Sequence, residues 1–322
     1  MIENEHKRGL FFVCFCLVFF CLKGMDFQAA EEFSAHRSQK KIMILTSVFP
    51  LMEFASEVGG AEADVSLLVP PGAEVHSWRP RPGDIVKLSR ADVFIYIGPV
   101  LEPWVADILE SVDNAGLTVI NASEEYSLVH HDEKEGHGHE EKNGHSSLDP
   151  HIWLDFGLDM NLVEHFSEIF GMLRPGKREY FRENARRYIG KLKNLDQRYR
   201  NELSRCRKKT FVLGGHAAFG YLARRYGLEQ IALYGLSPDA EPTPRQMIDI
   251  VEMARKKDIR VVYFEVNVSH RMSQVLADEI GAVTKVLNPG ISPSLEEIRG
   301  GITFLDIMEK NLENLKYGLE FQ

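Results

Sequence analysis

Cysteine is scarce in this 322-residue chain: there are four, and Cys14, Cys16 and Cys21 share one apolar stretch near the N-terminus. If that stretch is removed only Cys206 remains, which excludes an internal disulfide and leaves the fold to its apolar core. Basic residues are in deficit as well. With 38 Lys and Arg against 47 Asp and Glu, the formal charge is −9, which argues against a nucleic-acid partner and favours a cation. No apolar run long enough to cross a membrane follows residue 22. The GxxxxGK[ST] phosphate loop is missing, so the chain carries no ATPase of that type. HExxH is missing too, since His139-Glu140-Glu141-Lys142-Asn143 fails at its fifth position.

The N-terminus is informative. Lys7 and Arg8 precede an unbroken apolar run from Leu10 to Leu22, with small residues at Ala29 and Ala30. A basic segment, a short apolar run and small residues predict a secretory signal peptide over residues 1–30 and a periplasmic mature protein. Lipid attachment at Cys21 is less favoured, because Phe19 and Phe20 are bulky where such sites want small side chains.

Beyond Lys41, short apolar runs alternate with amphipathic stretches. Strands are expected at 41–46, 65–69, 92–97, 117–121, 210–214, 230–234, 259–265 and 282–287. Most are continuously apolar rather than alternating, as parallel strands covered on both faces are. The fold class is therefore α/β, two lobes each with a mostly parallel sheet flanked by helices. Residues 159–207 hold no such run and carry helical periodicity through Leu162, Phe166, Ile169, Phe170 and Leu173. They predict a long, nearly continuous, rigid linking helix interrupted near Pro175, between an N-terminal lobe at 40–158 and a C-terminal lobe at 208–322. A weak internal repeat supports related lobes: 79–97 and 241–264 each run Pro-x-Pro, helix, strand. Residues 130–145, polar and glycine-bearing, hold five of the twelve histidines and predict a surface loop.

Three other histidines occupy settings that suit ligands. His76 lies in the loop PGAEVHSWRP, His151 in LDPHIWLD, and His216 directly after the strand-like TFVLGG. Loops at the carboxyl ends of parallel strands are where open α/β sheets place ligands. A neutral imidazole there offers one nitrogen to a metal while a neighbouring acceptor orients the other; Asp149 and Asp155 are candidates for that second role beside His151. Taken singly, a histidine at a strand end is more often a hydrogen-bonded turn residue, and the spacing 76, 151, 216 matches no compact zinc motif.

The stretches PGAEVHSWRPRPGDIVKLSRADVFIYIGPVLEPW, DPHIWLD, GGHAAFGYLARRYGL, EPTPRQ and LNP, in this order, resemble the metal-binding receptors of bacterial zinc and manganese ABC transporters. The resemblance runs from about Lys41 to the end of the chain. It implies two α/β lobes, a metal site in the cleft between them, and ligands at His76, His151 and His216. It further implies no catalysis, a monomer, and an inner-membrane ABC permease as partner. Manganese-type members tend to have a carboxylate where this chain has His216, and three imidazoles suit zinc better than manganese. Zn2+ is thus the expected cargo, with a manganese receptor and a zinc-dependent hydrolase as alternatives. The closing motif departs from the common LDP: Asn288 offers only an amide oxygen, so the fourth metal position is left to water, Glu74, Glu265 or Asn288.

Overall fold

The structure, a computed structural model, describes residues 40–124, 148–236, 242–266 and 271–322. The expected signal peptide and the His-rich loop at 130–145 lie outside the described residues. Ile42–Thr46 forms β1, buried along nearly its whole length. Val48 leads into helix α1 (Phe49–Gly59), where Pro50 fits the first turn because it needs no donor there. The chain returns as β2 (Ala63–Leu67), then passes through α2 (Pro82–Leu88), β3 (Val93–Tyr96), α3 (Val105–Glu110) and β4 (Thr118–Asn121). The four strands are parallel in the order β2-β1-β3-β4, with Ile44 opposite both Val65 and Val93. β2 begins two residues ahead of its apolar run because Asp64 pairs with Met43. The displaced Leu68 and Val69 still donate their N–H groups to Thr46 and Ser47.

Residues 156–204 differ from the sequence expectation. They form two helices, α4 (Phe156–Leu173) and α5 (Arg178–Ser204), separated by a short 3-10 turn at Pro175–Lys177. The helices run antiparallel: Phe170 meets Phe181 at 5.9 Å beside the turn, and Phe156 meets Tyr199 at 5.2 Å at the far end. The Pro-Gly break therefore reverses the chain rather than kinking one rod, and α5 alone is the long helix. Apolar periodicity is the same for a kink and a reversal; only the aromatic packing between the helices distinguishes them.

The second sheet repeats the first. β5 (Thr210–Leu213), α6 (Gly220–Tyr226), β6 (Glu229–Ala232), α7 (Pro244–Lys256), β7 (Val261–Phe264), α8 (Arg271–Ile280) and β8 (Val283–Val286) give parallel strands in the order β6-β5-β7-β8. The two Pro-x-Pro motifs lead into α2 and α7, the helices before the third strand of each sheet. The chain then passes through α9 (Leu295–Arg299) to α10 (Phe304–Gly318). Among the described residues, no helix is long and apolar enough to cross a membrane.

The two sheets share their principal core. One apolar cluster contains β1 and β3, the α4–α5 hairpin, Phe211 and Leu213 of β5, Tyr263 of β7 and the inner face of α10. A smaller cluster under α7 and α8 takes the alternate strand residues Val212 and Val262. Phe304 stacks edge-on against Phe54 of α1 at 5.3 Å, joining the last helix to the first. Beside this pair, buried Glu53 accepts hydrogen bonds from the Tyr188 hydroxyl (2.7 Å) and the Phe304 N–H. A second buried acid, Glu102, accepts from Ser47 Oγ (2.5 Å), Ile97 N–H (3.2 Å) and Gly98 N–H (2.8 Å), closing the ends of β1 and β3.

Burial pushes both carboxyls up from 4.5 to about 7, against the hydrogen bonds that favour their charged forms. Each group binds its proton more tightly in the folded chain, so its contribution is complete below about pH 4.5 and is lost as pH rises through about 7. The difference is worth roughly 3 kcal/mol per group. Metal-free protein should therefore lose part of its unfolding free energy between pH 5 and 8, and Glu53→Gln or Glu102→Gln should each flatten that decline. Denaturant titrations across this range test it; parallel curves for wild type and both variants would contradict it.

Candidate metal centre

The loops after β2, β5, β7 and β8 and the segment entering α4 line one cleft. His76 arrives on the loop after β2. That loop is held by Trp78, whose ring packs edge-on against Trp104 at 4.9 Å, and by the Glu74 carboxylate, which accepts the His76 N–H at 3.1 Å. His151 ends the segment entering α4. Immediately after it, a single turn (Ile152–Leu154) is pinned by the Trp153 indole, which donates to the Pro289 carbonyl at 2.8 Å. Asp155 then caps α4, accepting from Gly157 N–H at 2.7 Å and Leu158 N–H at 3.3 Å. His216 follows β5 across Gly214 and Gly215.

These three imidazoles converge. Ring centroids are 5.6 Å apart for His76 and His151, 5.2 Å for His76 and His216, and 5.1 Å for His151 and His216. One ring nitrogen from each lies within 4.8 Å of the other two, and the His151 and His216 Nε2 atoms are 3.2 Å apart. A tetrahedral zinc ion with Zn–N of about 2.0–2.1 Å needs ligand nitrogens roughly 3.3 Å apart, so that pair already spans one edge of a tetrahedron. His151 and His216 are 1% and 5% exposed; His76 is half-buried at the mouth.

Carboxylates set the direction of both buried rings. Asp149 Oδ1 accepts from His151 Nδ1 at 2.7 Å and from its backbone N–H at 3.0 Å. Glu265, directly after β7, does the same for His216, with Oε1 2.8 Å from Nδ1 and 3.1 Å from the backbone nitrogen. A carboxylate accepts, so Nδ1 carries the proton in each ring and the Nε2 lone pair is left for a metal. Two glycines make the approaches possible. A Cβ on Gly215 would stand 2.3 Å from Glu265 Oε1, and one on Gly220 would stand 2.6 Å from Asp149 Oδ2.

Two facing lone pairs repel unless a cation sits between them, and the local electrostatics reflect this. Burial lowers the His216 imidazole, but Glu265, Glu74 and Asp149 outweigh it and raise the group above its ordinary value. His76, desolvated and next to two further imidazoles, is pushed down to about 2 and stays neutral. The carboxylates around the rings thus favour positive charge at His216.

The remaining sequence candidates line the same cleft but are engaged elsewhere. Asn288 Oδ1 accepts from Gly290 N–H at 2.8 Å within its own turn, Glu265 holds His216, and Glu74 holds the His76 backbone. Among the described residues no carboxylate oxygen joins the three-histidine cluster. Asp149 takes the orienting role weighed for it, whereas Asp155 instead caps α4 and meets Arg225 at 2.6 Å. Gly215 and Gly220 escaped the sequence reading; the doubled glycine before His216 was the only signal.

Comparison with known proteins identifies the family. The family model described as zinc-uptake complex component A, periplasmic (ZnuA) matches residues 44–318. The high-affinity zinc uptake system protein ZnuA of Bacillus subtilis is 36% identical over 313 residues, covering 97% of each chain. The zinc-binding lipoprotein AdcA of Streptococcus pneumoniae is 39% identical over 278 residues, 86% of this chain; the chain spans about half (55%) of AdcA's length. The Zn(II)-bound ZnuA-like domain of that AdcA superposes with a TM-score of 0.73 at 36% identity, covering 87% of this chain and 99% of the domain. The paired parallel sheets, the converging histidines and these matches have one reading: the chain belongs to the ZnuA family of zinc-uptake components.

Proposed function

We propose that this protein is an extracytoplasmic receptor that captures one Zn2+ through Nε2 of His151, Nε2 of His216 and the imidazole of His76, and hands it to an ABC permease. The observation that carries the reading is the 3.2 Å separation of two Nε2 atoms, each ring aimed by a buried carboxylate. Three neutral imidazoles favour zinc over manganese, which prefers oxygen ligands. With no carboxylate oxygen in the cluster among the described residues, water is left for the fourth position. A hydrolase would need a free general base beside that water, and the acids nearest the cluster are engaged with its histidines: Glu265 with His216, Asp149 with His151 and Glu74 with the His76 backbone. The periplasm is the working compartment read from residues 1–30. The pneumococcal relative is named a lipoprotein, which makes Cys21 the residue to examine for an anchor.

Calorimetric titration of the mature protein should give one tight zinc per chain. His151→Ala and His216→Ala should each weaken it by at least about 100-fold, roughly 2.7 kcal/mol. Unchanged affinity in both would reject the site.

Glu265→Gln, which leaves all three imidazoles but weakens control of one ring, should lose about 10–100-fold. Affinity equal to wild type would mean that Glu265 merely packs there.

Because zinc must displace the proton that His216 holds, binding below the raised pKa of that group should release close to one proton per ion, falling toward zero at higher pH. Affinity should accordingly rise with pH. Titrations in buffers of different ionisation enthalpy count the protons; no release at pH 6 would show that His216 is already neutral.

A further inference from the structure

His151 stands on the segment entering α4 and His216 on the segment after β5, so no short stretch of backbone ties one imidazole to the other. Beyond the shared apolar core, a side-chain link sets the distance between them. Four residues after His151, Asp155 caps α4; nine residues after His216, Arg225 closes α6. These two side chains meet. Arg225 Nη1 donates to Asp155 Oδ1 at 2.6 Å, while Nε and Nη2 grip the two oxygens of Asp196 on α5 at 2.8 and 2.9 Å.

The clamp is built rather than incidental. The Arg225 side chain is only 14% exposed, and its partners Asp155 and Asp196 are 20% and 11% exposed. Asp196 also accepts from the Tyr226 hydroxyl at 2.8 Å and Arg200 Nε at 3.2 Å, so its position does not depend on Arg225 alone. Burial raises the Asp196 carboxyl, but hydrogen bonds from Arg225, Tyr226 and Arg200 outweigh it and hold the group below its ordinary value. Space is reserved for the guanidinium: a Cβ on Gly157 would stand 2.5 Å from Arg225 Nη1 and 3.0 Å from Asp155 Oδ1. Gly157 lies in the first turn of α4, where alanine would favour the helix by about 1 kcal/mol, so helix formation is not what recommends glycine there. A planar guanidinium bonded to two carboxylates in fixed directions transmits geometry in a way a lysine cannot.

We propose that Arg225 is a positioning residue for the metal centre: by locking α6 to the cap of α4 and to the middle of the long helix, it fixes how far His216 stands from His151. The proposal rests on the zinc reading of the three histidines. It assigns Gly157 a role as well, that of admitting the guanidinium to the helix cap.

The test compares zinc affinity and the visible spectrum of the Co2+-substituted protein in wild type, Arg225→Gln, Gly157→Ala and Phe181→Leu. Phe181 sits at the opposite end of the α4–α5 hairpin, so its variant controls for lost stability without touching the clamp. Arg225→Gln and Gly157→Ala should each lower zinc affinity by about tenfold or more and alter the cobalt d–d bands, as loss of a residue supporting metal ligands does. Phe181→Leu should lower the melting temperature while leaving affinity within twofold and the cobalt bands unchanged. Affinities within twofold of wild type and unaltered cobalt bands in both clamp variants would overturn the proposal; so would an equal loss in Phe181→Leu. If Arg225→Gln does not fold, Gly157→Ala, which removes no polar group, decides alone. A wild type with no tight zinc site would instead reject the metal reading itself.

Discussion

His151, entering α4, and His216, following β5, can hold their nitrogens 3.2 Å apart only if the parts of the fold that carry them cannot drift relative to one another. The shared apolar core supplies that constraint. Residues of β1, β3, β5 and β7 pack with the α4–α5 hairpin and α10 in one continuous cluster, so moving one sheet against the other would open buried apolar surface. Each large side chain exposed in this way costs about 1.5–3 kcal/mol. Glu53 adds a polar tie at the same junction, taking hydrogen bonds from the long helix and from the start of α10.

On this rigid frame the site is assembled from short, local devices. Each buried histidine sits within a few residues of a strand end or helix cap, and a carboxylate fixes its tautomer and its direction together. The carboxylates reach the rings because the neighbouring backbone carries glycine. Gly215 admits Glu265 to His216, and Gly220, from the opposite lobe, leaves room for the Asp149 oxygen not bonded to His151. The convergence of the three imidazoles depends on the absence of two methyl groups as much as on the histidines themselves.

The strands were legible because parallel strands buried on both faces must be continuously apolar: KIMILT, DVFIYI and TFVLG mark themselves. The hairpin was not legible. Pro175-Gly176 accounts equally well for a kink and for a reversal, and the choice is made by contacts such as Phe170 with Phe181 that no local pattern encodes. The histidines stood out only through the motifs around them, since single histidines at strand ends are common. Glu265 was recognisable as an acid at a strand end, but whether it binds metal or orients a ligand is decided by a 2.8 Å contact across 49 residues of sequence. Arg225 was invisible within Arg224-Arg225, because nothing in sequence tells which of two adjacent arginines turns inward.

The common core bears also on how this molecule comes apart. A chain whose sheets each had a private interior could melt lobe by lobe, and a ligand touching both would stabilise only the weaker half. Here the principal apolar cluster runs through both sheets, so unfolding is expected to be cooperative across the lobes, and a cation bonded to residues of both is linked to that whole transition. At a free cation concentration about 1,000 times the dissociation constant, occupancy adds about 4 kcal/mol to it. With and without such a cation the chain would then differ in lifetime against proteolysis along its whole length, not only near the cleft.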